Sequence, residues 1–317
     1  IKLSKKHPSL FLLLLSSYDI LEAEEKQHIE EFVLYPLQFD EFLMAVGSEW
    51  YVEVIAAHYK TKRKIPDIVH QELLSTFDEY LWIGGMPDVV NEYLTMEASV
   101  NVTERQELAR IVLLHSMETT AEESISLKCR QVFSTIGEQL KKNNQKFQFN
   151  LIRKGITYQM YREALFFLER HHMAYRINEL EKEQQFKLFY PDFSLNPTIR
   201  NDELTAVERQ IRLQNYMFQT FCQKNIPCSF WEAKSQANIE FVLENGNEYT
   251  PVELKAEGKN KFKSIHSFQQ AFRQNGQENQ DRKLIKKVAK FSDSNFVEND
   301  DFFNLPVYSA FCFENRD

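Results

Sequence analysis

The chain is 317 residues long, with 43% hydrophobic and 26% charged residues, 8 Gly and 9 Pro, a balance that excludes a disordered or fibrous protein and allows two or three packed units. A formal net charge of −8 excludes a surface that is basic all over, because phosphate binding is driven by counterions released around Lys and Arg. Four cysteines without paired short spacings exclude a disulfide framework and a cysteine zinc site, and they fit a reducing, cytoplasmic setting.

At the front of the chain, Lys2, Lys5 and Lys6 precede the apolar run Leu10 to Leu15, which is too short to span a membrane, so no membrane partner is expected. Ser9 to Leu15 reads as a buried central strand, continuously apolar because both of its faces are covered. The chain opens on Ile1 rather than Met, from which a missing N-terminus is expected. A charged, helix-like stretch runs to Glu30, and Pro36 in LYPLQFDEFLMAVG marks a bend before a new helix. From Pro66 to Leu81 the positions Ile68, Leu73, Leu74, Phe77, Tyr80 and Leu81 recur at helical spacing. Gly84-Gly85-Met86-Pro87 then ends that helix on a positive-φ glycine and starts another at the proline, a reading that needs no function.

Glu104 to Met117, Lys128 to Lys142 and Tyr158 to His171 read as amphipathic helices, and AYRINELEKEQQFKLFYPD as two strands about a polar turn. Three helices and a strand pair suggest a winged helix, whose third helix could enter a major groove with Arg153, Lys154, Arg162 and Arg170 nearby. Ala164, Leu165, Phe167 and Leu168 leave that helix little polar surface for reading bases, which favours a packing role. From about Asn201 the pattern changes. Glu208 to Cys222 is a helix, Cys228 to Glu232, Ala237 to Leu243 and Tyr249 to Ala256 are strands, and Asn245-Gly246-Asn247 is a hairpin turn. A basic helix is expected next, and Leu305 to Phe313 as a final apolar strand. Gly258 to Lys290 holds nine basic residues against two acidic ones, a net of +7 that leaves −15 on the rest. Lys259, Lys261, Lys263, Arg282, Lys283, Lys286 and Lys287 are its candidate nucleic-acid contacts, the plainer alternative being a solvated helix face.

Side chains two apart on a strand share a face, so Glu253 and Lys255 in PVELK project together, across a hairpin from Glu240 in NIEF. Two carboxylates and a lysine so placed could hold Mg²⁺ beside a phosphodiester, the metal polarising the phosphate and lowering the pKa of an attacking water while the lysine offsets developing charge. Glu-x-Lys alone is also ordinary strand surface. His115, His171 and His172 lack ligand spacing, and Trp50, Trp82 and Trp231 read as core or rim anchors.

LYPLQFDEFL, YLWIGGMP, NNQKFQF, FKLFYPDFSL, NIEFVL, PVELKAEGKNKFKS and NLPVYSAFCF together, in this order, resemble the prokaryotic AAA-type ATP-binding proteins with a C-terminal domain of unknown function. Helix, hairpin, Glu-x-Lys and basic helix at the end resemble the PD-(D/E)xK restriction-endonuclease-like fold. The resemblance spans essentially the whole chain. It implies a multidomain α/β and α+β protein: a remnant of the P-loop ATPase sheet at 1–47, a helical lid at 48–97, a winged-helix-like domain at 98–195 and a nuclease-like α/β domain at 196–317. It also implies catalytic roles for Glu240, Glu253 and Lys255, with Glu240 and Glu253 as metal ligands. Three departures follow. No G-x-x-x-x-G-K-S/T loop occurs, so ATP is expected only if an N-terminal part supplies it. Neutral Gln214 stands where the family's early Glu sits, and Glu240 replaces an Asp. The expectation is a degenerate nuclease-like domain that docks DNA or a partner protein. The alternatives are an Mg²⁺-dependent nuclease using Glu240, Glu253 and Lys255, and a pure protein-interaction module.

Overall fold

In the computed structural model, residues 13–16, 19, 23–27, 29–95, 102–199, 204–233, 237–255, 263–275, 284–300 and 302–314 are described. The first half is helical: α1 (Ala23–Lys26), α2 (Phe39–Ala45), α3 (Glu49–Thr61), α4 (Asp67–Ile83), α5 (Pro87–Thr95), α6 (Val102–Thr120), α7 (Glu123–Leu140) and α8 (Tyr158–Arg170). A hairpin of β1 (Tyr175–Glu179) and β2 (Lys182–Phe189) follows, then α9 (Ala206–Gln223). β3 (Cys228–Glu232), β4 (Asn238–Asn245), β5 (Glu248–Lys255), α10 (Lys263–Asn275), β6 (Leu284–Ile285), β7 (Val288–Ser292), β8 (Val297–Glu298) and β9 (Phe302–Pro306) complete the α/β part.

The strands form one nine-stranded mixed sheet in the order β2-β1-β3-β4-β5-β7-β9-β8, with β6 pairing off this path to β5. β3, β4 and β5 are antiparallel, whereas β5, β7 and β9 run parallel. β1 joins β3 in parallel at Glu179 and Phe230, where the Leu180 amide donates to the Phe230 carbonyl at 2.7 Å. The β1–β2 hairpin is therefore the outer edge of the sheet that carries Glu240 and Glu253. α9 covers one face, with Phe218 and Phe221 packed on Phe241 at 6.2 and 5.3 Å between ring centroids. α10 covers part of the other, with Phe268 edge-on to Trp231 at 5.3 Å. A single apolar cluster runs from Phe39 through Phe133, Leu165 and Phe189 to Phe313, drawing on segments either side of 98 and of 196.

Leu37, Gly84-Gly85 and Asp192 meet at the border of this core. The Leu37 amide donates to the Gly85 carbonyl at 2.7 Å, Tyr80 Oη donates to the Leu37 carbonyl at 2.7 Å, and the Gly85 amide donates to Asp192 Oδ2 at 2.9 Å. Gly84 has φ 92°, and a methyl group there would lie 2.4 Å from the Ser194 side chain. One at Gly85 would lie 2.3 Å from the Leu37 carbonyl oxygen, so Gly84 is required by its backbone and both glycines by close approach. Buried Arg212 of α9 donates to the carbonyls of Leu81 and Trp82 at 2.5 and 2.7 Å, supplying the last turn of α4 with the partners that a helix end lacks.

Three expectations are corrected. Leu13 to Leu15 lie outside any strand and are 73%, 65% and 76% exposed, because no described strand pairs with them; Ser9 to Leu12 lie outside the described residues. Among the described residues the helix of the basic region is α10, and Lys286 and Lys287 lie between β6 and β7, where the Lys286 amide donates to the Tyr249 carbonyl and both side chains pair with strand carboxylates. The final strand stops at Pro306, and Val307–Cys312 is a 3₁₀ turn, since a proline offers no amide to extend the ladder.

Candidate functional site

The two-residue turn Gly246-Asn247 fixes the β4–β5 register, in which Phe241 pairs with Val252. The paired register ends there, beside a β-bulge between β3 and β4, and the Glu240 carboxyl interacts electrostatically with that of Glu253. Alternation puts Glu253 and Lys255 on the side of Tyr249, away from Phe241 and α9. Glu253 also pairs in register with Lys290 of β7, which in turn pairs with Asn304 of β9. A polar row of Glu253, Lys290 and Asn304 thus crosses three strands, with Glu240 of β4 in electrostatic contact with its Glu253 end. Lys255 Nζ lies 3.4 Å from the Glu253 carboxylate.

Lys187 of β2 is also buried, in the apolar run Phe186 to Phe189 of the sequence. Its Nζ lies 3.5 Å from Glu232 Oε1 and 4.4 Å from the Phe230 ring centroid, and it donates to Gln145 Oε1 at 3.4 Å. Gln145 in turn donates to Gln214 Oε1 at 2.9 Å. Gln214 is thus linked through Gln145 to Lys187, and the contacts of that chain end at Glu232. Lys146 bridges Glu179 and Glu232 at 2.8 and 2.9 Å, extending the alternating charges to β1. Lys187, Glu232, Lys146 and Glu179 were not singled out by sequence. Their one signal is a lysine inside the apolar run Phe186 to Phe189, where an ammonium persists only with partners.

The electrostatics follow from burial. The Glu240 carboxyl is pushed up to about 7, chiefly by burial and further by Glu253, while Lys187 acts against the shift. Burial lowers the Lys187 ammonium, opposed by Glu232 and Glu240. Burial and then Lys255 lower Lys290, opposed by Glu253. Two carboxylates, one of them inclined to keep its proton, thus face three lysines. Mg²⁺ calls for several hard anionic oxygens, and these residues do not fit such a cage. Among the described residues no group of three or more His, Cys, Asp or Glu could hold a metal ion.

Of the basic candidates, Lys259, Lys261, Arg282 and Lys283 lie outside the described residues, as does the side chain of Lys263. Lys286 and Lys287 are described and paired, with Glu248 at 3.1 Å and Glu298 at 3.0 Å.

Residues 74–204 match the family model described as a domain of unknown function, DUF8612. That stretch runs from α4 to the loop after β2, so it includes Gly84, Gly85, Lys187 and Asp192 and leaves out Glu240 and Glu253. Among curated proteins and solved structures nothing matches. No helix among the described residues is long and apolar enough to cross a membrane.

Proposed function

We propose that this chain is the part of an AAA-type ATP-binding protein that follows the P-loop, and that its α/β end is a nuclease-like module that docks DNA without cutting it. ATP chemistry then belongs to a segment not in this chain, since no phosphate-cradling glycine loop occurs in it. The observation that carries the non-cutting reading is the carboxylate pair Glu240–Glu253, which faces Lys187, Lys255 and Lys290 and lacks a third acidic partner at Gln214. Hydrolysis through a metal needs an anionic cage that lowers the pKa of a bound water. An ammonium neutralises the same oxygens and activates no water. Support for DNA as the docked ligand comes from the net +7 of Gly258 to Lys290 in an otherwise acidic chain.

The test is titration with labelled duplex and single-stranded DNA, with and without Mg²⁺, followed on a denaturing gel. Salt-sensitive binding without cleavage is expected. Metal-dependent cleavage that vanishes in Glu253→Ala would make the chain a nuclease. Neither binding nor cleavage would leave a protein-interaction module, a reading favoured by the pairing of Lys286 and Lys287 with carboxylates.

A further inference from the structure

In-register neighbours on adjacent strands point to the same side of a sheet, so Glu253 and Lys255 of β5 share a side with Lys290 and Ser292 of β7 and with Asn304 of β9. They stand toward the carboxyl ends of three parallel strands, the end at which open α/β sheets hold their ligands. Most polar groups there are already committed. Ser292 Oγ donates to Asn304 Oδ1 at 2.6 Å, and Asn304 Nδ2 donates to the Ser294 and Asn295 carbonyls, each at 3.0 Å. Lys187 is held by Glu232 and Gln145.

Two lysines remain beside Glu253, and their situations differ. Lys255 Nζ lies 3.4 Å from the Glu253 carboxylate on a side chain that is 28% exposed. A lysine two residues after the acid is compatible with a metal, since it belongs to the Glu-x-Lys arrangement in which it offsets charge developing on a phosphate. Lys290 has no place in that arrangement. It is 9% exposed, sits directly beside Glu253 on a strand about 4.8 Å away, and has the Phe302 ring 5.9 Å from its ammonium. Glu253 is the carboxylate that acts on it. An ammonium so enclosed persists only with an anion, and a divalent cation brought to the same carboxylate would meet its repulsion at short range. The number of acids does not by itself close the site, because Mg²⁺ keeps several waters and is held by one or two carboxylates.

We propose that Lys290 is the residue that closes the carboxylate site to divalent cations, its ammonium serving as the permanent counter-ion of Glu253. This rests on the reading of the α/β end as a non-cutting nuclease-like module and names the side chain that makes it so. The test is titration of the full chain and of Lys290→Gln with Mn²⁺ near neutral pH, read by calorimetry and by Tm. Lys290→Gln should gain a saturable site with Kd below about 1 mM, at least about tenfold tighter than any binding to the parent. Saturating Mn²⁺ should raise its Tm by at least about 2 °C and leave the parent's unchanged. Both effects should vanish when Glu253→Ala is added, and Lys290→Arg, which keeps the charge, should behave as the parent. Lys290→Met removes the charge without an amide and carries the same expectation as Lys290→Gln. If neither folded variant nor the parent binds metal, the role of Lys290 is overturned while the non-cutting reading stands; a saturable site in the parent overturns both. Loss of folding in both uncharged variants would also overturn the proposal, since Lys290 would then be structural.

Discussion

Glu240 ties the chemistry of the site to stability. Its folded-state value of about 7 lies above the ordinary 4.5, so between these values the folded chain binds more protons than the unfolded one. Stability should therefore fall as pH rises from about 4.5 to about 7 and level off above that window. Glu240→Gln should remove this dependence and stabilise the chain at pH 8 by on the order of 2 kcal/mol, allowing for partial exposure of the carboxylate. Urea unfolding of both proteins at pH 5 and pH 8 measures it; an unchanged pH dependence would place its source elsewhere. Gly85 is a second residue with one role. Gly85→Ala drives a methyl into the Leu37 carbonyl and disturbs the bond to Asp192, and should cost about 3 kcal/mol, read as a lowered Tm. A Tm within a degree of the parent would show that the node can relax.

At the scale of elements, Lys286 and Lys287 decide how much of the basic region meets phosphate. Two released contacts would flatten the slope of log affinity against log salt by about 2, whereas their pairing with Glu248 and Glu298 predicts a change below about 1 for the doubly substituted Lys286→Ala, Lys287→Ala chain. Binding isotherms at several salt concentrations separate the two. The difficulty of this region was visible in its composition. Basic residues between Gly258 and Lys290 suggest a basic helix, but Ala289-Lys290-Phe291-Ser292 pairs in parallel with β5, a contact with no local signature. The β4–β5 hairpin was legible because Asn245-Gly246-Asn247 sets its register, and Glu253 and Lys255 share a face by a period of two. Lys187, Glu232 and Lys146 were not, since they meet through the β1–β3 pairing of distant segments. Gly84-Gly85 was legible as a helix break, while the convergence of Leu37 and Asp192 on it was not.

Across the whole molecule, the helical front and the α/β end are fastened to each other. The His70 ring bridges Tyr308 Oη at 2.7 Å and the Asp293 carbonyl at 3.0 Å, Arg209 joins Asp78 and Asp293, and Asn295 bonds both backbone groups of Ile65. With one apolar cluster reaching from Phe39 to Phe313 and a second, about Trp231 and Phe268, on the other face of the same sheet, the chain should unfold as a unit. Far-UV circular dichroism and the fluorescence of Trp50, Trp82 and Trp231 should report coincident denaturant midpoints; separated midpoints would show independently folding parts. The sheet that unites these parts also brings Lys187 to the carboxylates of Glu232 and Glu240, so the character of the site is a property of the assembled chain. Its most direct test is calorimetric titration of the full chain with Mn²⁺ and Mg²⁺ near neutral pH. The account predicts no saturable binding at millimolar metal, whereas a saturable site abolished by Glu253→Ala would contradict it.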